Sequence, residues 1–328
     1  MQSHRILVIL PNWLGDTLMA TPAIEHLSTL HPNAKFTFVG SYVSIEALKS
    51  HPKAEASFVD ETKKQRNRLK ATQSFAQSLG QFDIAITFRN NIYSTLLLFF
   101  TPSHLKIARK SWHASLLLDK SVKLSRDLHL SEQYNNLVNI LDKTPVSAPE
   151  SRLYIPKHQY DKPSLGINPG ATYGSAKRWY PDKFAEVAKT FSNEYQIIIF
   201  GGPSEVDMGN DIEKRLLEMG VTNYLNLAGK TNIQELCSYI GGLDIFVTND
   251  SGPMHVAAAY EVPTVAIFGP TRHLETCQWK NEKSIIVRRD DVPCAPCMKR
   301  TCPLKHHECM TKIEANDVIE AVKQLIKE

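Results

Sequence analysis

The chain alternates short, nearly unbroken apolar runs with longer stretches in which apolar residues recur every three or four positions. RILVIL (residues 5–10), KFTFVG (35–40) and FDIAITF (82–88) have strand length, and ASFVD (56–60) is a weaker run of the same kind. A polar loop, PNWLGD (11–16), leads from the first run into a helix-like stretch over 17–30, and SIEALKS (44–50) reads as helix after the second. Strands separated by helix-length segments predict βαβ units and a parallel sheet. The same grammar restarts at PSLGINPG (163–170). DKFAEVAKTF (182–191) is an amphipathic helix, and YQIIIFGG (195–202) is a strand covered on both faces. SEVDMGNDIEKRLLE (204–218) is helical with Ser204 as N-cap, and NIQELCSYIGG (232–242) is a helix that stops in glycine. DIFVTN (244–249), a helix from Pro253 and TVAIFG (264–269) follow, and IEANDVIEAVKQLIKE (313–328) closes the chain as an amphipathic helix.

The predicted fold class is therefore α/β, with two doubly wound, Rossmann-like parallel-sheet halves. A length of 328 residues suits two domains. The break is expected in the Pro- and Lys-rich YIPKHQYDKPS (154–164), giving domains 1–158 and 159–328, with the last helix free to pack back on the first. Two such halves facing each other leave a cleft, and ligands in open parallel sheets sit at the carboxyl ends of the strands. The longest apolar cluster, LLLFF (96–100), is far too short to span a bilayer. The N-terminus lacks the apolar segment and cleavage site of a secretory signal, so a cytoplasmic protein is expected.

Charge adds an asymmetry. Residues 1–160 carry 19 Lys+Arg against 12 Asp+Glu (19 − 12 = +7), and residues 161–328 carry 19 against 22 (19 − 22 = −3). A basic first half suits an anionic partner, or it is a solvated lysine-rich surface.

Candidate chemistry lies at the predicted strand ends. In NDSGPMH (249–255), Asp250 ends a strand, Ser251 offers a hydroxyl, Gly252 allows close approach and His255 follows one turn on. Free N–H groups and the dipole at that helix start make an anion site; an N-capped helix with a buried histidine is the plain alternative. NPGATYGSAKRWY (168–180) is a small-residue loop carrying Lys177, suited to wrapping and neutralising a diphosphate, or a flexible surface loop. Glu205, after FGG, is an acceptor for ribose hydroxyls or a first-turn acid facing the helix dipole. Asp16, at the mouth of the first strand, is a general base for an acceptor hydroxyl or the N-cap of the next helix. There is no G-x-x-x-x-G-K-[ST], no G-x-G-x-x-G after RILVIL and no D-x-D triplet. A P-loop NTPase, a dinucleotide dehydrogenase and a metal-bridged diphosphate are thereby disfavoured. A nucleic-acid binder lacks its interleaved aromatic and basic residues.

GDTLMATPAIEHL, NPGATYGSAKRW and VTNDSGPMHVAAA resemble, in order and spacing, the ADP-heptose:lipopolysaccharide heptosyltransferases of glycosyltransferase family 9. CAPCMKRTCPLKHHECM (294–310) resembles a tail found in the heptosyltransferase II branch. The resemblance covers nearly the whole chain. It implies a GT-B fold, with acceptor bound by the first domain and ADP-heptose by the second. It also implies inversion at the anomeric carbon, no cofactor and no essential metal. On matched positions, Asp16 is the general base and Lys177 the phosphate-contacting lysine. Thr172 and Tyr173 lie on the donor loop, Tyr173 departing from the threonine seen in the heptosyltransferase I branch. Glu205 is the ribose acid, and Asp250, Ser251, Gly252 and His255 form the donor motif, with serine replacing the commoner threonine. The implied partners are ADP-heptose and the anionic inner-core acceptor, which basic residues of KKQRNRLK (63–70) and KIARKSWH (106–113) suit, with loose contact to the inner membrane surface and no nucleic acid. Another heptosyltransferase type or a non-catalytic nucleotide binder are the rival readings. The cluster Cys294, Cys297, Cys302 and Cys309, with His306 and His307 beside it, is chemically suited to tetrahedral zinc, with a disulfide or free thiols as alternatives.

Overall fold

The computed structural model describes residues 4–125 and 127–327. The chain divides into two compact units, Met1–Tyr154 and Ile155–Glu328, so the break falls at the start of the expected linker and four residues before the expected 158/159 boundary.

The first unit is a six-stranded parallel sheet of β1 (Arg5–Ile9), β2 (Lys35–Gly40), β3 (Ala54–Val59), β4 (Phe82–Thr87), β5 (Ser103–Arg109) and β6 (Lys120–Val122). Its helices are α1 (Leu14–Leu30), α2 (Tyr42–Leu48), α3 (Arg68–Ser78), α4 (Ile92–Phe100), α5 (Trp112–Leu117) and α6 (Leu130–Val138). The strand order is β3-β2-β1-β4-β5-β6, all pairs parallel. Ile6 to Ile9 are fully buried because helices cover both faces of the sheet, which is why the run reads as continuous rather than alternating.

The second unit repeats the plan with β7 (Ser164–Asn168), β8 (Gln196–Ile199), β9 (Tyr224–Asn226), β10 (Ile245–Asn249), β11 (Thr264–Ile267) and β12 (Ser284–Val287). Its helices are α7 (Pro181–Phe191), α8 (Val206–Glu218), α9 (Ile233–Gly241), α10 (Gly252–Ala259), α11 (His273–Thr276), α12 (Glu308–Thr311) and α13 (Ala315–Lys327). The order β12-β11-β10-β7-β8-β9 is the same doubly wound order as in the first unit. In each unit the chain reverses its direction of progress at the first strand: between β1 and β4, and between β7 and β10. Such a switch point opens a crevice at the strands' carboxyl ends.

Two local expectations change. Ser204 does not cap α8; it lies in a single 3₁₀ turn, Pro203–Glu205, and Glu205 is the residue that precedes the helix. Asp16 does not cap α1 either, since that helix begins at Leu14 after Trp13. The last helix, α13, is seated in the second unit's own core, where Val318, Ile319 and Val322 join Leu165, Val265 and Phe184. Among the described residues no helix is long and apolar enough to cross a membrane.

Candidate functional site

The second unit's strand ends are bolted together by two asparagines. Asn168 ends β7 opposite Thr248 of β10. Its Nδ2 lies within hydrogen-bond distance of Thr248 Oγ1 (3.2 Å), Ser251 Oγ (3.1 Å) and the Gly170 carbonyl (3.2 Å). Asn249, ending β10, donates from Nδ2 to the Pro169 carbonyl at 2.8 Å and accepts the Trp179 N–H at 3.1 Å. The loop after β7 and the turn after β10 therefore move as one body.

That body presents the start of α10. Ser251 is its N-cap, but no side-chain cap bond forms because the hydroxyl is turned toward Asn168 and Thr248. Pro253 sits in the first turn, where its missing N–H leaves nothing unsatisfied. The dipole of α10 thus points its positive end at the space beside Gly252, an arrangement that stabilises an anion. His255 is buried in the same turn.

Lys177 closes a 3₁₀ turn, and its Nζ lies 2.5 Å from Asp250 Oδ2. Thr271, after β11, donates its hydroxyl to the same oxygen at 2.5 Å. Asp250 is thus held between Lys177 and Thr271. An ammonium has three donors, so Lys177 can hold Asp250 and still offer protons to a phosphate. Its Nζ also lies 4.8 Å from the centroid of the Tyr173 ring, whose other neighbour is the Arg300 guanidinium at 5.3 Å. Tyr173 spends its hydroxyl on the Met298 carbonyl (2.9 Å), and Thr172 beside it is exposed.

Glu205 is buried at the end of β8. Its Oε2 accepts the Gly202 N–H at 2.8 Å, while Oε1 is buried without a hydrogen-bond partner. An unmatched buried carboxylate oxygen is costly, which marks this atom as one awaiting a donor. Gly170 lies directly over it: a Cβ there would meet the Glu205 carboxylate, which would have to turn aside.

The cysteine-rich tail braces this loop from beneath. The Ala176 N–H donates to the Arg300 carbonyl at 3.0 Å, His307 Nε2 meets the Ala176 carbonyl at 2.9 Å, and Tyr180 Oη meets His307 Nδ1 at 2.9 Å. Gly174 passes so close to Arg300 that a Cβ would lie 2.2 Å from its carbonyl oxygen. None of the six cysteines forms a disulfide. Burial, helped by the neighbouring Cys297, Cys294 and Cys302, pushes the Cys309 thiol up to about 11. Among the described residues, no three His, Cys, Asp or Glu side chains are arranged to hold a metal ion.

The first unit's strand ends are open instead. Asp16, third residue of α1, lines a cavity of about 190 Å³ together with Asn12, Trp13, Arg89, Arg109 and Tyr134. Burial, with the Asp16 charge adding to it, raises the Tyr134 hydroxyl well above its ordinary range, so that it stays protonated. A second cavity, about 420 Å³, is lined by Asp60, Lys63, Lys64, Arg68, Arg89 and Tyr93. Arg89 belongs to both: Nε donates to the Leu10 carbonyl (2.6 Å) and Nη1 to Asp60 (2.8 Å), while Nη2 is buried without a partner. The Arg68 guanidinium lies 3.6 Å from the Tyr93 ring centroid. The basic runs singled out in the sequence thus contribute Lys63, Lys64 and Arg68 to the second cavity and Arg109 to the first.

Sequence reasoning missed Asn168, Asn249, Thr271, Arg89 and the bracing tail. The two asparagines carried a usable signal, since each is the last residue of an apolar run. Thr271 and Arg300 carried none, because only the fold brings them to the loop.

Residues 72–308 match glycosyltransferase family 9 (heptosyltransferase). The chain is 37% identical to lipooligosaccharide heptosyltransferase 2 of Campylobacter jejuni, over 98% of both chains. It is 26% identical to the protein of that name from Haemophilus influenzae, over 98% of this chain and 99% of the relative. Among solved structures, E. coli ADP-heptose lipopolysaccharide heptosyltransferase II superposes with a TM-score of 0.79 at 24% identity, covering 98% of each chain.

Proposed function

The chain belongs to glycosyltransferase family 9 and has that family's GT-B fold of two doubly wound units; from this premise we propose that it transfers a heptose from ADP-heptose onto the inner core of lipopolysaccharide or lipooligosaccharide, the step performed by heptosyltransferase II. The observation that carries the donor half of this reading is Glu205, whose partnerless Oε1 lies beneath Gly170 where the loop after β7 passes the turn after β8. A ribose hydroxyl supplies the proton this oxygen lacks. The diphosphate then lies against the start of α10, with Ser251, Gly252 and Lys177 around it and His255 in the adjoining turn. As the bond from the anomeric carbon to the diphosphate breaks, negative charge grows on ADP. The α10 dipole and the Lys177 ammonium, already held by Asp250, stabilise that charge more in the transition state than before it. The step as proposed uses no metal ion and no cofactor.

Asp16 is the base. It removes the proton from the attacking hydroxyl of the acceptor, which adds to the face of the anomeric carbon opposite the leaving ADP and inverts it. The neutral Tyr134 hydroxyl lines the same cavity as the carboxylate and adds no charge that would compete with it. The larger cavity, with Lys63, Lys64, Arg68 and Arg89, takes the acidic sugars or phosphates of the acceptor. An acceptor anchored by its lipid brings the enzyme to the cytoplasmic surface of the inner membrane. The test is a transfer assay with ADP-heptose and a core acceptor already carrying one heptose, with the anomeric configuration of the product read by NMR. Inverted heptose on that acceptor is expected. Transfer only to an acceptor lacking heptose would assign the chain to another step, and turnover with a UDP-sugar in preference would remove the donor assignment.

A further inference from the structure

We propose that the outward face of α5 rests on an anionic lipid bilayer, which deepens the reading just given by naming the surface from which the acceptor is taken. Trp112 and Leu116 are 74% and 76% exposed, although both are large and apolar. They are four residues apart on one helix and therefore share a face. The opposite face is fixed: Ala114 is fully buried, and buried His113 meets Thr95 Oγ1 through Nδ1 at 2.8 Å. The outward pair therefore adds nothing to the core, and its exposure has no folding reason.

The surroundings of α5 are basic. The Lys110 N–H donates to the Val122 carbonyl at 2.8 Å, and Ser115 Oγ lies 3.1 Å from Ser121 Oγ. These contacts tie the α5 segment to the edge strand β6, so the exposed Lys110, Lys120 and Lys123 lie on the same edge of the sheet as Trp112 and Leu116. Residues 103–125 hold five Lys or Arg and a single acid, Asp119, whose carboxylate accepts the Lys106 N–H. An exposed tryptophan and leucine on the same sheet edge as three exposed lysines match the two layers of an anionic membrane surface. The indole and the aliphatic chain enter the headgroup–acyl boundary, and the ammonium groups meet the lipid phosphates. A protein partner recognised through the β6 edge would need no such excess of positive charge. The position also fits the chemistry: Arg109, three residues before Trp112, lines the cavity that holds Asp16. A glycolipid held in the bilayer by its acyl chains would have only a short way to extend its sugars.

Flotation of the full chain with vesicles of phosphatidylcholine, with and without phosphatidylglycerol, tests this. Binding to the anionic vesicles alone is expected, weakening as salt rises. Replacing both apolar anchors (W112S with L116S) should lower the partition coefficient about tenfold. K120E with K123E should lower it about 25-fold or more, since each basic residue near an anionic surface is worth about fivefold. All four positions are on the surface, so both variants should melt at the wild-type temperature. K120E with K123E should transfer heptose to a deacylated, water-soluble acceptor at the wild-type rate and lose rate only on acceptor embedded in vesicles. Absence of any preference for anionic vesicles, or wild-type flotation by both variants, overturns the proposal. Flotation is read without heptose transfer, so a chain that binds vesicles through α5 yet transfers no heptose contradicts the function and leaves the surface standing.

Discussion

The two units share one strand order and one helix plan, yet their strand ends are finished in opposite ways. In the second unit, Asn168 and Asn249 cross-link the loops, Lys177 is held on Asp250, and Glu205 is packed under Gly170. In the first unit the equivalent positions surround two cavities of about 190 and 420 Å³, the first with Arg89 and Arg109 in its lining and the second with Lys63, Lys64, Arg68 and Arg89. Rigid donors suit a ligand with one fixed shape whose charge changes during reaction, because they need no reorganisation when that charge develops. Open, arginine-rich cavities suit a bulky anion read mainly by its charge. The fold supplies the same crevice twice, and the side chains at its rim divide the labour.

If that division is right, the largest single effect belongs to the open side. Asp16→Asn should slow heptose transfer roughly 10³-fold, the usual span for loss of a general base, with ADP affinity unchanged by calorimetry. A transfer rate near wild type would take the base away from this unit. Next comes the closed side. Lys177→Ala removes a charge-assisted donor and should weaken ADP about 30-fold, an affinity loss of ~2 kcal/mol, with acceptor affinity untouched. Equal losses for both substrates would mean that the two edges are not separate sites. Smaller again, Arg68→Ala should raise the KM for a phosphorylated acceptor about fivefold and leave both ADP affinity and kcat alone, since the remaining Lys63, Lys64 and Arg89 still present positive charge. Steady-state kinetics against an acceptor stripped of phosphate sharpens this, because the difference between wild type and variant should then vanish.

The smallest effect concerns stability. Burial works to raise the Asp60 carboxyl, but hydrogen bonds from Thr62 and Arg89 outweigh it and hold the group below its usual range. A carboxyl depressed in the folded state contributes stability that is present above its unfolded pKa, about 4, and is lost as pH falls through the lower folded value. Thermal melts between about pH 3 and 6 should therefore show wild type losing more stability on acidification than Asp60→Asn does. Parallel curves would mean that the Asp60–Arg89 pair does not anchor the larger cavity.

Much of the donor edge is legible in the amino-acid sequence alone, because its chemistry is local. NDSG and NPGATYGSAK are contiguous, and each follows a strong apolar run, so position and residue type agree. The acceptor edge is legible only through Asp16. Arg89 lies 29 residues from its partner Asp60, and Tyr134 reaches the Asp16 cavity from α6, a helix the apolar pattern does not single out. The strands that the pattern misses have a physical reason as well. SHLKIAR is interrupted by charge, and KSV and YLN are three residues long, too short for any period to show. The tail is the least legible part. Its cysteines and histidines suit zinc, a disulfide or free thiols alike, and nothing in their pattern shows that His307 and the Arg300 backbone support the donor loop at Ala176.

A crystal structure with ADP bound puts the central comparison to the most direct trial. The ribose is expected within hydrogen-bond distance of Glu205 Oε1 and the diphosphate at the start of α10 beside Lys177, with the cavities around Asp16 and Arg89 free of nucleotide. A diphosphate seated on Arg68 and Arg89, with Glu205 Oε1 still lacking a donor, would contradict it.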